Sequence, residues 1–175
     1  MKHVQASAAL CLALLAALPR TALAENPLES RQKIEAVIQA FGKALAEKDK
    51  EGFMRLFLRE DITWVAVYTD GSVARYRAGL KDPKEPTPKT SGGTPRMFIE
   101  SIARKPEPRR ETFENVRIDT DGEIAQVLFD FSMMIGDYRS SWGKESWQMV
   151  RTENGWKIAA VVWSAEENPV PRPTR

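Results

Sequence analysis

The sequence predicts an α+β domain in which three helices of the N-terminal half lie against an antiparallel sheet. Three observations carry that prediction. Apolar residues recur at helical spacing only ahead of Lys105-Pro106. From Thr112 onward the chain runs in long segments of period-two alternation. Asp121-Gly122 and Asn154-Gly155 interrupt those segments, and such pairs supply the positive φ angles that two-residue hairpins need.

The chain begins with a segment expected to be removed. Lys2 and His3 precede an apolar stretch, Ala8–Leu18, and Ala22-Leu23-Ala24 offers a small-x-small cleavage site before Glu25. That is the layout of a secretory signal peptide over residues 1–24, too short in its apolar part to anchor in a bilayer. The expected mature chain has 151 residues, with 24 basic side chains against 24 acidic ones, and is periplasmic or secreted. The only histidine, His3, and the only cysteine, Cys11, lie in the leader. Disulfides, thiol nucleophiles, imidazole bases and Cys/His metal sites are therefore not expected in the mature protein, nor is a cofactor. The balanced charge, without a basic stripe, argues against nucleic acid as partner, and no membrane association is expected after cleavage.

The elements follow in order. Ser30 is placed to cap a helix whose apolar stripe is Ile34, Val37, Ile38, Phe41 and Leu45. Asp49 caps a short second helix carrying Phe53, Leu56 and Phe57. Ile62–Thr69 is β-branched and aromatic and stops at Asp70-Gly71, so it reads as a strand and turn, with Val73–Arg77 as a weaker returning strand. Residues 79–94 hold Pro83, Pro86, Pro88 and Gly92-Gly93 and read as a flexible loop, either a lid or disorder. Thr94-Pro95 opens a third helix through Met97, Phe98, Ile99 and Ile102. Four strands follow, over Thr112–Thr120, Glu123–Ile135, Ser140–Thr152 and Trp156–Ser164, and 168–175 is a loose tail. The single domain is expected over 25–167.

Two-residue loops at Asp121-Gly122 and Asn154-Gly155, and a two- or four-residue loop within Gly136–Arg139, set an expected register and hence two faces; a three- or five-residue loop there would take Asp130 off the face of Glu145. One gathers Val116, Ile118, Val127, Phe129, Phe131, Met133, Trp142, Lys144, Ser146, Gln148, Val150, Ala159, Val161 and Trp163; it is the more apolar and is expected to take the helices. The other holds Leu128, Asp130, Ser132, Glu145, Trp147, Met149, Ile158, Ala160 and Val162, and is also too apolar for water. A second copy of the chain is the expected cover, giving a homodimer through the outer sheet face.

This layout resembles the nuclear transport factor 2-like superfamily, and its SnoaL-like bacterial branch in particular. Gly155-Trp156-Lys157-Ile158 through Trp163-Ser164 resembles the family's final strand, and the opening from Ile34 to Gly71 fits as well. The resemblance implies a cone: a curved antiparallel sheet wrapped by helices around an inner pocket. It implies no single activity, since the family holds isomerases, cyclases, dehydratases and non-catalytic binders. Ala160 and Val162 stand where members often carry histidines on the last strand.

Within the expected cone, Lys144, Ser146 and Gln148 interrupt an apolar lining of Trp142, Phe129, Phe131 and Trp163, with Trp64 and Tyr68 on the other wall. These residues are either the polar and apolar contacts of a small-molecule pocket or a water-satisfied rim and ordinary core. Asp130 and Glu145 face each other in the expected register, as a general acid–base pair or as a seam meeting Arg117 and Arg151. Asp119-x-Asp121-Gly122 reads as a hairpin turn rather than a calcium loop, and Gly92-Gly93 lacks the Lys-Ser/Thr of a phosphate loop. Three functions remain: a binder of a small, largely apolar ligand, a cofactor-independent lyase or isomerase using a carboxylate, and a dimeric interaction module.

Overall fold

A computed structural model describes residues 26–82 and 84–173. The expected leader, with His3 and Cys11, lies outside the described residues.

Helix α1 spans Pro27–Glu47 and turns Ile34, Ile38, Phe41, Ala44 and Leu45 inward. Its cap is Asn26, whose side chain accepts from Leu28 N; Ser30 is instead buried inside the helix. Proline at the first helical position starts the helix four residues earlier than Ser30 would. Helix α2, Lys50–Met54, is capped by Asp49 as expected and buries Phe53. Strand β1, Thr63–Tyr68, follows.

The stretch expected to return as a strand is helix α3, Asp70–Ala78. The Thr69 hydroxyl accepts from Ser72 N at 3.1 Å, so Asp70-Gly71 becomes the first helical turn and not a hairpin. Within 79–94, Thr90–Gly92 form a short strand, β2, antiparallel to β1. Helix α4, Pro95–Ala103, is capped by Thr94 through Met97 N.

Strands β3 (Arg109–Thr120), β4 (Ile124–Ile135), β5 (Tyr138–Thr152) and β6 (Gly155–Glu167) complete the domain. The sheet has six strands in the order β2-β1-β6-β5-β4-β3. Every pairing is antiparallel except β1 with β6, which run parallel. Three irregularities bend the sheet: between Glu114 and Arg117 in β3, at Met133/Met134 against β5, and at Gln148/Met149 against β6. Asn115 sits at the first with φ 54°. Such bulges add a residue to one strand and sharpen its curl.

These bulges correct the expected faces. The β4–β5 turn is Gly136-Asp137, with Ile135 opposite Tyr138, and Ser140 is then extra in β5. Its hydroxyl donates to Met133 O at 3.0 Å. Below that point Asp130 pairs with Lys144 and Phe129 with Glu145, one residue off the register that a regular hairpin predicts. A one-residue shift turns the whole of β5 over. Glu145, Trp147 and Met149 therefore face the helices, and Lys144, Ser146 and Gln148 face outward. Ile158 is likewise inside, fully buried, while Val116 is exposed. The interior of β4 (Val127, Phe129, Phe131, Met133) and Ile118, Val161 and Trp163 fall where expected.

The core lies between this concave face and α1, α2 and α4. Phe41 stacks at 4.7 Å from Phe53 and 5.1 Å from Trp147, and Phe129 meets Trp147 edge-on. Gly143 is required by close approach: a Cβ there would lie 1.9 Å from Ser164 O.

Candidate functional site

The core does not fill the concave face completely. At the end of the sheet where β3 and β5 begin and β4 and β6 finish, a cavity of about 360 Å³ remains. Its apolar wall includes Trp64, Phe98, Ile102, Phe131, Met133 and Trp163. Trp64 stands between Trp163 and Phe98, with ring centroids 5.3 and 5.4 Å away.

Two buried carboxyl groups line this space. Period-two alternation at the start of β3 puts Arg109, Glu111 and Phe113 on one face, opposite Ile135, Met133 and Phe131. The shifted register of β5 adds Glu145 from the same side, and both glutamates line the cavity. Glu111 is 9% exposed and Glu145 5%. Neither forms an ion pair among the described residues. Burial is the main force on both, since an ionised carboxylate loses its hydration there. It pushes Glu111 well above the usual carboxylate range, and the neighbouring charge of Glu145 pushes it further. Glu145 rises from 4.5 to about 7, because burial outweighs the opposing hydrogen bond donated by Trp147 Nε1 at 2.5 Å. Both shifts favour the protonated carboxyl over the carboxylate.

The sequence-based site is thus partly reassembled. Trp64, Phe131 and Trp163 line the cavity, and Glu145 does so with a different partner. Asp130 is excluded from it: on the outer face Lys144 Nζ lies 2.5 Å from its Oδ1 and Asn115 Nδ2 2.7 Å from its Oδ2. Those bonds hold Asp130 below the usual range, so it keeps no proton to give. Lys144, Ser146 and Gln148 are on the outer face for the register reason given above, as is Trp142, which the Arg139 guanidinium covers at 4.4 Å. Phe129 is core beneath the cavity, edge-on to Phe113 and Trp147. Tyr68 lines a separate crevice between α3 and the 87–91 segment, its hydroxyl 3.4 Å from Ser91 Oγ. Asp121 closes a hairpin, its Oδ1 accepting from Glu123 N and Ile124 N.

Glu111 and Arg109 escaped the sequence reading because the strand was started at Thr112. The alternation Arg109–Glu111–Phe113 was the available signal.

A curved sheet closed by helices around a part-polar pocket defines the nuclear transport factor 2-like fold, and solved structures agree. A nuclear transport factor 2-like protein of unknown function from Pseudomonas putida KT2440 superposes with TM-score 0.58 at 14% identity, over 81% of this chain and 90% of that one. A proposed dehydratase of the same fold from Streptomyces avermitilis gives 0.52 at 15%, over 81% and 99%. A proposed aromatic ring hydroxylase from Novosphingobium aromaticivorans gives 0.53 at 20%, over 84% and 94%. Identities this low bear on fold alone. No protein-family model and no curated protein matches the sequence.

Proposed function

We propose that the cone binds a small, largely apolar molecule and acts on it by cofactor-independent acid–base chemistry of the lyase or isomerase type. The observation that carries this is the Glu111–Glu145 pair, buried together in an aromatic-walled cavity with no cation paired to either. Glu145 takes a proton from the substrate, and Glu111, whose burial favours its protonated form, donates one where negative charge develops. A base whose pKa lies near the working pH combines availability with driving force. The Streptomyces protein named above carries a proposed activity of this general class.

The test is water elimination from a panel of small aryl β-hydroxy ketones, followed by absorbance of the conjugated product. Turnover should fall by roughly 100-fold or more in both Glu145→Gln and Glu111→Gln, with circular dichroism unchanged. Equal turnover in wild type and both variants contradicts the assignment.

The expected export and homodimer belong to the same proposal. Leu128, Ser146 and Val162 form one row across the outer face, and Leu128 and Val162 are 37% and 41% exposed. An apolar row flanked by Lys144 and Gln148 suits a second copy. Val162→Glu should convert a dimer to a monomer in light scattering; an unchanged mass contradicts that interface.

A further inference from the structure

Arg109 is the part of the cavity that the acid–base pair leaves unused. It is the first residue of β3, two positions before Glu111 on the same face, with Ile135 opposite. It lines the cavity, and its Nε is buried with no hydrogen-bond acceptor among the described residues. The acids near it in the chain do not satisfy it. Glu107 lies within reach of the Arg109 charge, but its hydrogen-bonded partner is Arg172 at 3.1 Å. Glu111 is raised by burial and by Glu145, with no opposing influence from Arg109. Arg109 lines the pocket and pairs with no carboxylate among the described residues, so its guanidinium is suited to an acceptor that comes from outside.

We propose that the cone's ligand is a monoanion with an apolar body, its carboxylate held by Arg109 at the mouth and its body against Trp64, Trp163, Phe131 and Met133. This rests on the acid–base reading of the same cavity and adds the class of molecule that enters it. The planar guanidinium offers parallel N–H donors that match a carboxylate. Glu167 also lines the mouth, from β6 three strands away, and repels a second negative charge, which favours a monoanion over a dianion. The space suits a one- or two-ring compound, being at the small end of ligand pockets.

Isothermal titration calorimetry with 2-naphthoate and its neutral isostere 2-naphthamide tests this. Wild type should bind the carboxylate at least about tenfold more tightly, as a charged hydrogen bond requires. Arg109→Gln should weaken the carboxylate alone and bring the two probes together, and Arg109→Lys should keep part of the preference. Equal binding of both probes by wild type would overturn the anion inference and leave the apolar cavity standing. Binding of neither overturns the ligand-binding reading and this inference with it.

Discussion

The two faces of the β4–β5 ladder carry the same chemical group and treat it in opposite ways. On the outer face Asp130 lies against Lys144 and Asn115 with water at hand, so its charge is held and its carboxyl stays below the ordinary 3.8. On the inner face Glu145, one residue beyond Lys144, has only Trp147 Nε1 to favour its charge and sits in an aromatic cavity beside Glu111. Two carboxyls on neighbouring strands thus shift in opposite directions, one down and one up. Side chain type does not decide which carboxylate can do proton chemistry. The face it occupies does, and here a single extra residue at Ser140 decides the face.

The comparison is most sharply broken at Trp147 and Gln148. Trp147 is fully buried, so Trp147→Ala should cost about 3–5 kcal/mol. Gln148→Leu, on the exposed side, should stay within about 0.5 kcal/mol and leave ligand affinity unchanged. Urea unfolding of the two variants checks both; the reverse order would restore the regular-hairpin register.

The next largest effect concerns pH. Burial raises Glu145 from 4.5 to about 7, so folding favours its protonated form. That stabilisation is complete below about 4.5 and is lost as pH rises through about 7. The shift corresponds to something on the order of 3 kcal/mol. Glu145→Gln, which cannot ionise, should therefore gain on wild type between pH 5 and pH 8, seen as a flatter urea midpoint across that range. A parallel decline in both proteins would contradict the burial of this charge.

The smallest effect belongs to the outer pair. Lys144→Met should barely move the neutral-pH midpoint, because the lysine is largely solvated. It should still raise the Asp130 carboxyl toward 3.8, read by carbon-13 titration, since the Lys144 hydrogen bond is the main cause of its depression.

Much of this arrangement was legible in the amino-acid order. The stripe of α1, the cap at Asp49, the Thr94-Pro95 helix start and the inward set on β4 follow from local chemistry and periodicity. Trp64 and Trp163 were placed on the cavity wall by the same means. What failed was register, because a bulge has no strong local signature. Ser140 followed by Ser141 carries no mark of which residue is extra, yet the choice inverts every later side chain of β5. Helix α3 was missed because Asp-Gly serves a hairpin or a capped helix equally well until Thr69 is seen to accept from Ser72 N. The partner of Glu145 was missed because Arg109-Arg110-Glu111 looks like a solvated run; only the sheet's curvature buries its odd-numbered members.

The central claim is that burial raises the Glu111 and Glu145 carboxyls above the range of the surface acids. Carbon-13 NMR of protein labelled at glutamate Cδ, titrated from acid to alkaline pH, measures this directly. One carboxyl should titrate near 7 and vanish from the spectrum in Glu145→Gln, and a second, absent in Glu111→Gln, should titrate well above the ordinary glutamate range. A spectrum in which every glutamate has ionised by about pH 5 would contradict the account.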